Sequence, residues 1–588
     1  MRNGRSTPDA YRLLWHYLAP QSGAALLMSG LLLASIGLQL VGPHVASTFI
    51  DAARGRAAEA RLVQLALVFV GVALAQQALL VLATYWSERV AWTATNALRA
   101  DLAAHLLRLD LGFHKLHTPG ELIERVDGDV NALAGFFSSF VVQLVGSVLL
   151  LIGVLVAVAF VDARLGFAFT AFAAVALVLL GWVRRFGTPH WRAEREQSAA
   201  FYGYVGEVLT ATEDLRSNGA VPYALHRFFG HLRTWLPIGL RANLWGNMVW
   251  VTAAVLFAIG DALAYGLGGS LFQSQTISLG AVYLVVAYAA MLAAPLETIR
   301  TQMQDLQRAD ASVARVRELL LACSALEDGT AELPAGALGV EFQRVRFGYD
   351  DGAGAATERA VVLDDLSFTL RAGRVLGLLG RTGSGKTTAA RLLFRLYDPQ
   401  VGEVYVGGVA VRQARLAALR ERVGLVTQDV QLFEATLRDN LTFFDSRVVD
   451  ERLLTVLDTL GLRDWLERLP DGLDTPISGG SLSAGEAQLL ALARVFIKDP
   501  GLVILDEASS RLDPATEALL ERALDRLLHA DCTVIIIAHR MQTVERADDI
   551  LILEDGRIRE YGSRALLAAD PASRFAALRR AGHGEVLA

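Results

Sequence analysis

Val375-Leu376-Gly377-Leu378-Leu379-Gly380-Arg381-Thr382-Gly383-Ser384-Gly385-Lys386-Thr387-Thr388 reads as a buried strand, a glycine-rich turn and the start of a helix. Gly380, Gly383 and Gly385, with Arg381, Thr382 and Ser384 between them, free backbone N–H groups to surround a triphosphate at the helix N-terminus. Lys386 reaches the β- and γ-phosphates, the Thr387 hydroxyl suits Mg²⁺, and Thr388 continues into the helix. A glycine-rich turn alone says little. The full spacing, between strand and helix, says that this region binds a triphosphate.

Outward from the loop, two further apolar runs end in polar groups. Leu502-Val503-Ile504-Leu505 leads into Asp506 and Glu507, and Thr533-Val534-Ile535-Ile536-Ile537-Ala538 leads into His539. Groups at the carboxyl ends of parallel strands face the ligand crevice. Asp506 suits Mg²⁺, and Glu507 suits polarising a water for in-line attack on the γ-phosphate. His539 is placed to contact that phosphate or the attacking water. A lone histidine at a strand end is more often structural, but here it shares its edge with the loop and two carboxylates. Short β-branched runs alternating with helical patterns give a mainly parallel α/β sheet.

The first 300 or so of the 588 residues are different, and they raise the mean hydropathy to +0.38. Six uncharged or nearly uncharged runs are long enough to cross a bilayer, within Gln21–Ile50, Leu62–Ser87, Val130–Val161, Leu165–Val183, Leu244–Leu267 and Ile277–Leu296. The segments before the first run, between the second and third and between the fourth and fifth carry 16 Arg/Lys, against 4 in the three opposite loops. The excess of positive charge places both termini and the long loops in the cytoplasm. Those loops keep a helical period, so the membrane helices should continue into the cytoplasm and turn back near Gly112–Glu121 and Asp214–Tyr223. A polar stretch, 322–339, then links a membrane domain over 1–321 to a soluble domain over 340–588.

Composition narrows the rest. The net charge of −6 does not suit nucleic acid as a bulk partner. Only Lys115, Lys386 and Lys498 interrupt 52 arginines, so Lys386 stands where a compact ammonium is chemically useful. Cys323 and Cys532 lack metal-ligand spacing and read as free thiols of a reducing compartment. No cleavable signal peptide is apparent.

With Leu482-Ser483-Ala484-Gly485-Glu486-Ala487-Gln488 added, the motifs stand in an order that resembles an ATP-binding-cassette (ABC) transporter half of the exporter type. The resemblance covers nearly the whole chain. It implies a multi-domain membrane protein: a six-helix α-helical transmembrane domain with long cytoplasmic extensions, then an α/β P-loop ATPase domain. ATP and Mg²⁺ would be the ligands, and ATP hydrolysis would drive transport by alternating access. The resemblance also implies that Tyr349 stacks on adenine and that Gln428 senses Mg²⁺ and the membrane domain. Ser510-Arg511-Leu512-Asp513 would link two ATP sites, and Gly112–Leu122 would press on an ATPase domain.

The same resemblance makes Ser483, Ala484, Gly485 and Glu486 contacts to ATP held by a partner's domain. The usual run there is Leu-Ser-Gly-Gly-Gln. Ala484 adds a Cβ where backbone approaches nucleotide, and Glu486 puts a carboxylate where an amide usually faces the ribose. A like charge within about 6 Å costs on the order of 2–3 kcal/mol at an effective dielectric near 20. Thr475–Ser481 lacks the usual acidic-then-basic character. These departures favour a heterodimer with a second transporter half, and a homodimer is the alternative.

For cargo, the resemblance implies export of amphipathic small molecules, lipids or peptides from an inner (plasma) membrane. A siderophore-type importer, an exporter of thiols or for cytochrome assembly, and a binding-only regulatory ATPase remain open. Asp261 either faces a cavity or is wetted at the interface. Gln39, His44, Trp245, Asn247 and Trp250 line a pathway or serve as packing and anchors, and Trp182, Arg184 and Arg185 read as an interface anchor.

Overall fold

The computed structural model describes residues 12, 15–350, 360–427, 430–478, 481–506, 514–528, 531–537 and 541–581. The chain divides into two units, Met1–Leu107 with Gly120–Ala322, and Arg108–Pro119 with Cys323–Ala588.

Among the described residues of the first unit, six helices are long and apolar enough to span a bilayer: Trp15–Arg54, Glu59–Leu106, Val142–Val161, Ala163–Thr210, Val221–Gln273 and Leu279–Leu296. Each overlaps one of the apolar runs. The helices are α1 (Ser22–Arg54), α2 (Glu59–Leu106), α3 (Leu111–Leu116), α4 (Pro119–Ile123), α5 (Asp129–Gly135), α6 (Gly146–Val161), α7 (Ala163–Thr210), α8 (Thr212–Ser217), α9 (Val221–Gln273), α10 (Leu279–Met291) and α11 (Ala293–Leu321). Of these, α3 belongs to the second unit. At 48 residues each, α2 and α7 are about 70 Å long, more than twice a hydrocarbon core of about 30 Å. The expected extensions and turns are therefore present, the turns made by α3–α4 and by α8. A π-helical stretch, Phe136–Val145, leads into α6.

Helices α1 and α2 pair, as do α7 and α9. The latter two run on through Pro189 and Pro237, where each loses one ladder bond that packing along its length offsets. Leu165, Phe169, Ala176 and Leu180 of α7 lie in a common core with Val285 and Tyr288 of α10. Asp51 of α1 accepts hydrogen bonds from Ser278 Oγ (2.5 Å) and the Gly280 N–H (2.7 Å), tying the end of α1 to the start of α10. Towards the far end of α11, buried Asp129 accepts from Ser312 Oγ (2.9 Å) and Arg315 Nε (2.8 Å). Asp261 is exposed on α9, which agrees with either reading of it.

The second unit contains strands β1 (Val340–Gly348), β2 (Val361–Leu370), β3 (Val375–Leu379), β4 (Val401–Val406), β5 (Val409–Ala410), β6 (Val423–Val426), β7 (Ala435–Thr436), β8 (Pro476–Ile477), β9 (Leu502–Asp506), β10 (Thr533–Ile537), β11 (Asp549–Glu554) and β12 (Arg557–Ser563). The central sheet has order β12-β11-β3-β10-β9-β6 and is parallel except for β12. A separate antiparallel sheet, β2-β1-β4-β5, adds a layer that the sequence reading did not distinguish.

Successive residues of the central strands serve opposite faces. Leu502, Ile504, Ile535 and Ile537 join Leu376 and Leu378 in the core shared with the antiparallel sheet, where Phe342 and Phe368 stack at 4.8 Å. Val503, Leu505, Val534 and Ile536 join the helical core on the other side. Burial on both faces is why these strands read as continuous apolar runs.

Residues 323–339 run along this unit through specific bonds. Ala331 N–H donates to Gln413 O, Arg415 N–H donates to Ala331 O, and buried Arg395 donates through Nη2 to Glu327 O (2.7 Å).

Candidate functional site

The central sheet brings its functional ends to one edge. Leu378, Ile537 and Asp506 stand side by side in the ladder, and Val426 pairs with Leu505 one strand further. All four strands point the same way, so the chain leaves them at the same carboxyl edge. The phosphate loop follows β3, and Asp506 is buried at the end of β9. Glu507, His539 and Gln428, which follow the other strands, lie outside the described residues, as do 510–513, Gly479 and Gly480.

The loop has a backbone that only glycine adopts readily. Gly380, Gly383 and Gly385 have φ of +151°, +84° and +102°. A Cβ on Gly385 would fall 2.5 Å from Leu363 Cδ2. Helix α12 (Lys386–Leu393) starts immediately after it, with its first N–H groups turned toward the loop. Lys386 is buried and donates through Nζ to Gly380 O (2.6 Å) and Arg381 O (3.0 Å). Ser384 Oγ is buried and, among the described residues, has no hydrogen-bond partner. A buried hydroxyl in a concave loop of backbone donors, beside a buried ammonium, fits an anionic phosphate chain.

Tyr349 lies beside α12. Its hydroxyl is 3.1 Å from Thr388 Oγ1 and accepts from Arg391 Nη1 (3.0 Å). Tyr397 meets the ring edge-on at 5.3 Å. Burial, with the neighbouring Tyr349, pushes the Tyr397 phenol above its ordinary range. Lys115 Nζ stands 4.4 Å from the centre of the Tyr349 ring. Neither Tyr397 nor Lys115 was singled out from sequence for this site, although the rarity of lysine was a signal.

Ser483 to Glu486 open helix α13 (Ala484–Lys498). Ser483 is its N-cap, Oγ accepting from the Glu486 N–H, while Glu486 Oε2 accepts from the Ser483 N–H (2.8 Å), a reciprocal capping box. The other oxygen, Oε1, accepts from the Trp465 indole N–H (2.8 Å). Both carboxylate oxygens thus bond within this chain, at a helix end that favours negative charge. Ala484 is the first helical residue and is not among the left-handed positions, so its Cβ brings no local strain.

A glycine-rich phosphate loop at the carboxyl edge of a parallel sheet, fused to six membrane-spanning helices, defines a membrane protein powered by a nucleoside triphosphate. Two family profiles match the chain, "ABC transporter transmembrane region" over residues 26–296 and "ABC transporter" over 363–510. Its relatives include the fatty acid ABC transporter ATP-binding/permease protein of Mycobacterium bovis, 30% identical over 80% of this chain and 74% of that one. The ATP-dependent lipid A-core flippase of Pectobacterium atrosepticum is 28% identical over 99% of both chains. The probable multidrug resistance ABC transporter ATP-binding/permease protein YheH of Bacillus subtilis is 29% identical over 80% of this chain and 70% of that one. The chain belongs to the ABC transporter family, as a fused membrane and ATPase half of exporter type that couples ATP hydrolysis to transport.

Proposed function

We propose that this chain is one half of a dimeric exporter of lipids or similarly amphipathic small molecules, set in a plasma or inner membrane with both termini cytoplasmic. The observation that carries this reading is the alignment of the phosphate loop with the ends of β9 and β10. In it, Lys386 and the loop N–H groups hold the β- and γ-phosphates, and Tyr349 receives the adenine. Glu507 takes a proton from the attacking water, and His539 contacts the γ-phosphate or that water. Thr387, Asp506 and Gln428 would hold Mg²⁺, which when bound neutralises charge on the phosphates. Cargo moves because its affinity differs between the two states that ATP binding and hydrolysis alternate. The fatty acid, lipid and multidrug relatives support an amphipathic cargo. The charge asymmetry of the loops supports the orientation.

The purified complex carrying Glu507→Gln tests this assignment. ATP should still bind, and turnover should fall by roughly 10²-fold or more, at the lower end of what a positioned general base supplies. Substantial residual hydrolysis would remove Glu507 from the role of base.

Ala484 and Glu486 favour a non-identical second half, since each such chain would then weaken only the site opposite its own. One observation favours a second copy instead: Glu486 is tied into its own helix cap. Purification of the chain alone decides between them. A dimer with full, cargo-stimulated ATPase activity would establish the homodimer, and an inactive monomer or weak dimer the heterodimer.

A further inference from the structure

We propose that Lys115 is a positioning residue of the nucleotide site, its ammonium holding the ring of Tyr349 for the base. The inference rests on the reading of Tyr349 as the aromatic that receives adenine.

Three observations carry it. The first is the geometry: Lys115 Nζ lies 4.4 Å from the ring centre, within the roughly 6 Å over which a cation is attracted to an aromatic face. The ring is also held at its rim, where the hydroxyl meets Thr388 and Arg391 of the phosphate-loop helix. One face and the rim of Tyr349 are therefore both engaged by groups from elsewhere in the chain.

The second is the placement of Lys115. It is on α3, whose N-cap Asp110 accepts from the Phe113 N–H (3.0 Å) through one oxygen and from the Ala325 N–H (2.6 Å) through the other. Burial raises the Asp110 carboxyl, but backbone N–H groups of Ala325, Phe113 and Gly112 and the Ser324 hydroxyl outweigh it and hold the group below its usual range. Residues 108–119 are thus bound into the ATPase unit, although they connect two helices of the membrane unit in sequence.

The third is composition. In a chain with 52 arginines and three lysines, Lys386 is in the phosphate loop and Lys115 is over Tyr349. A small ammonium covers one ring face without the planar spread of a guanidinium, and the guanidinium of Arg391 stands farther off, 6.0 Å from the ring centre.

The test is a cycle of variants of the full transporter in lipid, read as KM for ATP against kcat. Lys115→Gln should raise KM about threefold, the size of an exposed cation–π contact, with kcat unchanged. Lys115→Arg keeps a cation over the ring and should recover at least half of that loss. Tyr349→Leu should raise KM by itself, and adding Lys115→Gln to it should change nothing more. In Tyr349→Phe, which keeps the ring, Lys115→Gln should again cost about threefold. An unchanged KM in Lys115→Gln, or an equal rise in the Tyr349→Leu background, would overturn the proposal while leaving the role of Tyr349 intact. An unchanged KM in Tyr349→Leu alone would remove the reading on which it rests. Thermal unfolding of each variant separates loss of fold from loss of affinity.

Discussion

The phosphate loop and the Ser483–Glu486 turn each open a helix, and they are built in opposite ways. The loop reaches its helix through left-handed glycines packed so closely that Gly385 has no room for a methyl group. The turn reaches its helix through an extended Ser483 (φ −65°, ψ 158°) and an ordinary capping box. The first conformation excludes nearly every substitution, whereas the second accepts any residue with helical geometry and rewards an acid at its third position. Of the two, this chain keeps every element of its loop and departs from the family pattern in the turn. Departure is found where the backbone is unstrained.

Gly385→Ala is the sharpest attempt to break that contrast. The new Cβ meets Leu363 Cδ2 at 2.5 Å on a residue at φ +102°. The left-handed backbone costs about 1–2 kcal/mol in a non-glycine residue, and overpacking about 1–3 kcal/mol more. The variant should lose measurable ATP binding, and its ATPase domain should unfold several degrees earlier. Retention of wild-type ATP affinity would show that the loop is no more constrained than the turn.

Most of this architecture was legible in the sequence, for reasons that differ between the two halves. Membrane spans announce themselves because lipid demands long uncharged helices, and the central strands because burial on both faces leaves no polar alternation. The antiparallel sheet was less visible, since β1 and β2 pair with register shifts between Phe342 and Gly348 that blur their period. The phosphate loop was legible because its chemistry and its backbone demand the same glycines. Lys115 and Tyr349 are far apart in sequence and no local pattern links them, so only the fold brings them together. Glu486 was legible as a departure but not in its consequence. The resemblance turns its carboxylate toward a ribose, whereas the Trp465 indole N–H that donates to it could not be inferred.

Glu486 is also where the contrast can be sharpened most finely, with the smallest effects. Replacing it by Ala removes the reciprocal half of the capping box and leaves the Trp465 N–H without its acceptor. Together these should cost about 1–2 kcal/mol of stability, read in thermal unfolding of the purified protein. Replacing it by Gln keeps one acceptor and should cost less, about 1 kcal/mol. Nucleotide affinity then separates two pictures of the carboxylate. If it faced the ribose of the opposite site, removing a charge worth on the order of 2–3 kcal/mol would tighten ATP binding by more than tenfold. With both oxygens bonded to Ser483 and Trp465, Glu486→Gln should shift the ATP concentration for half-maximal activity by less than about threefold. A tenfold tightening would mean that the cap opens when two halves meet, and the case for an unequal partner would return at full strength. A shift within threefold would leave that case to Ala484 and the Thr475–Ser481 stretch.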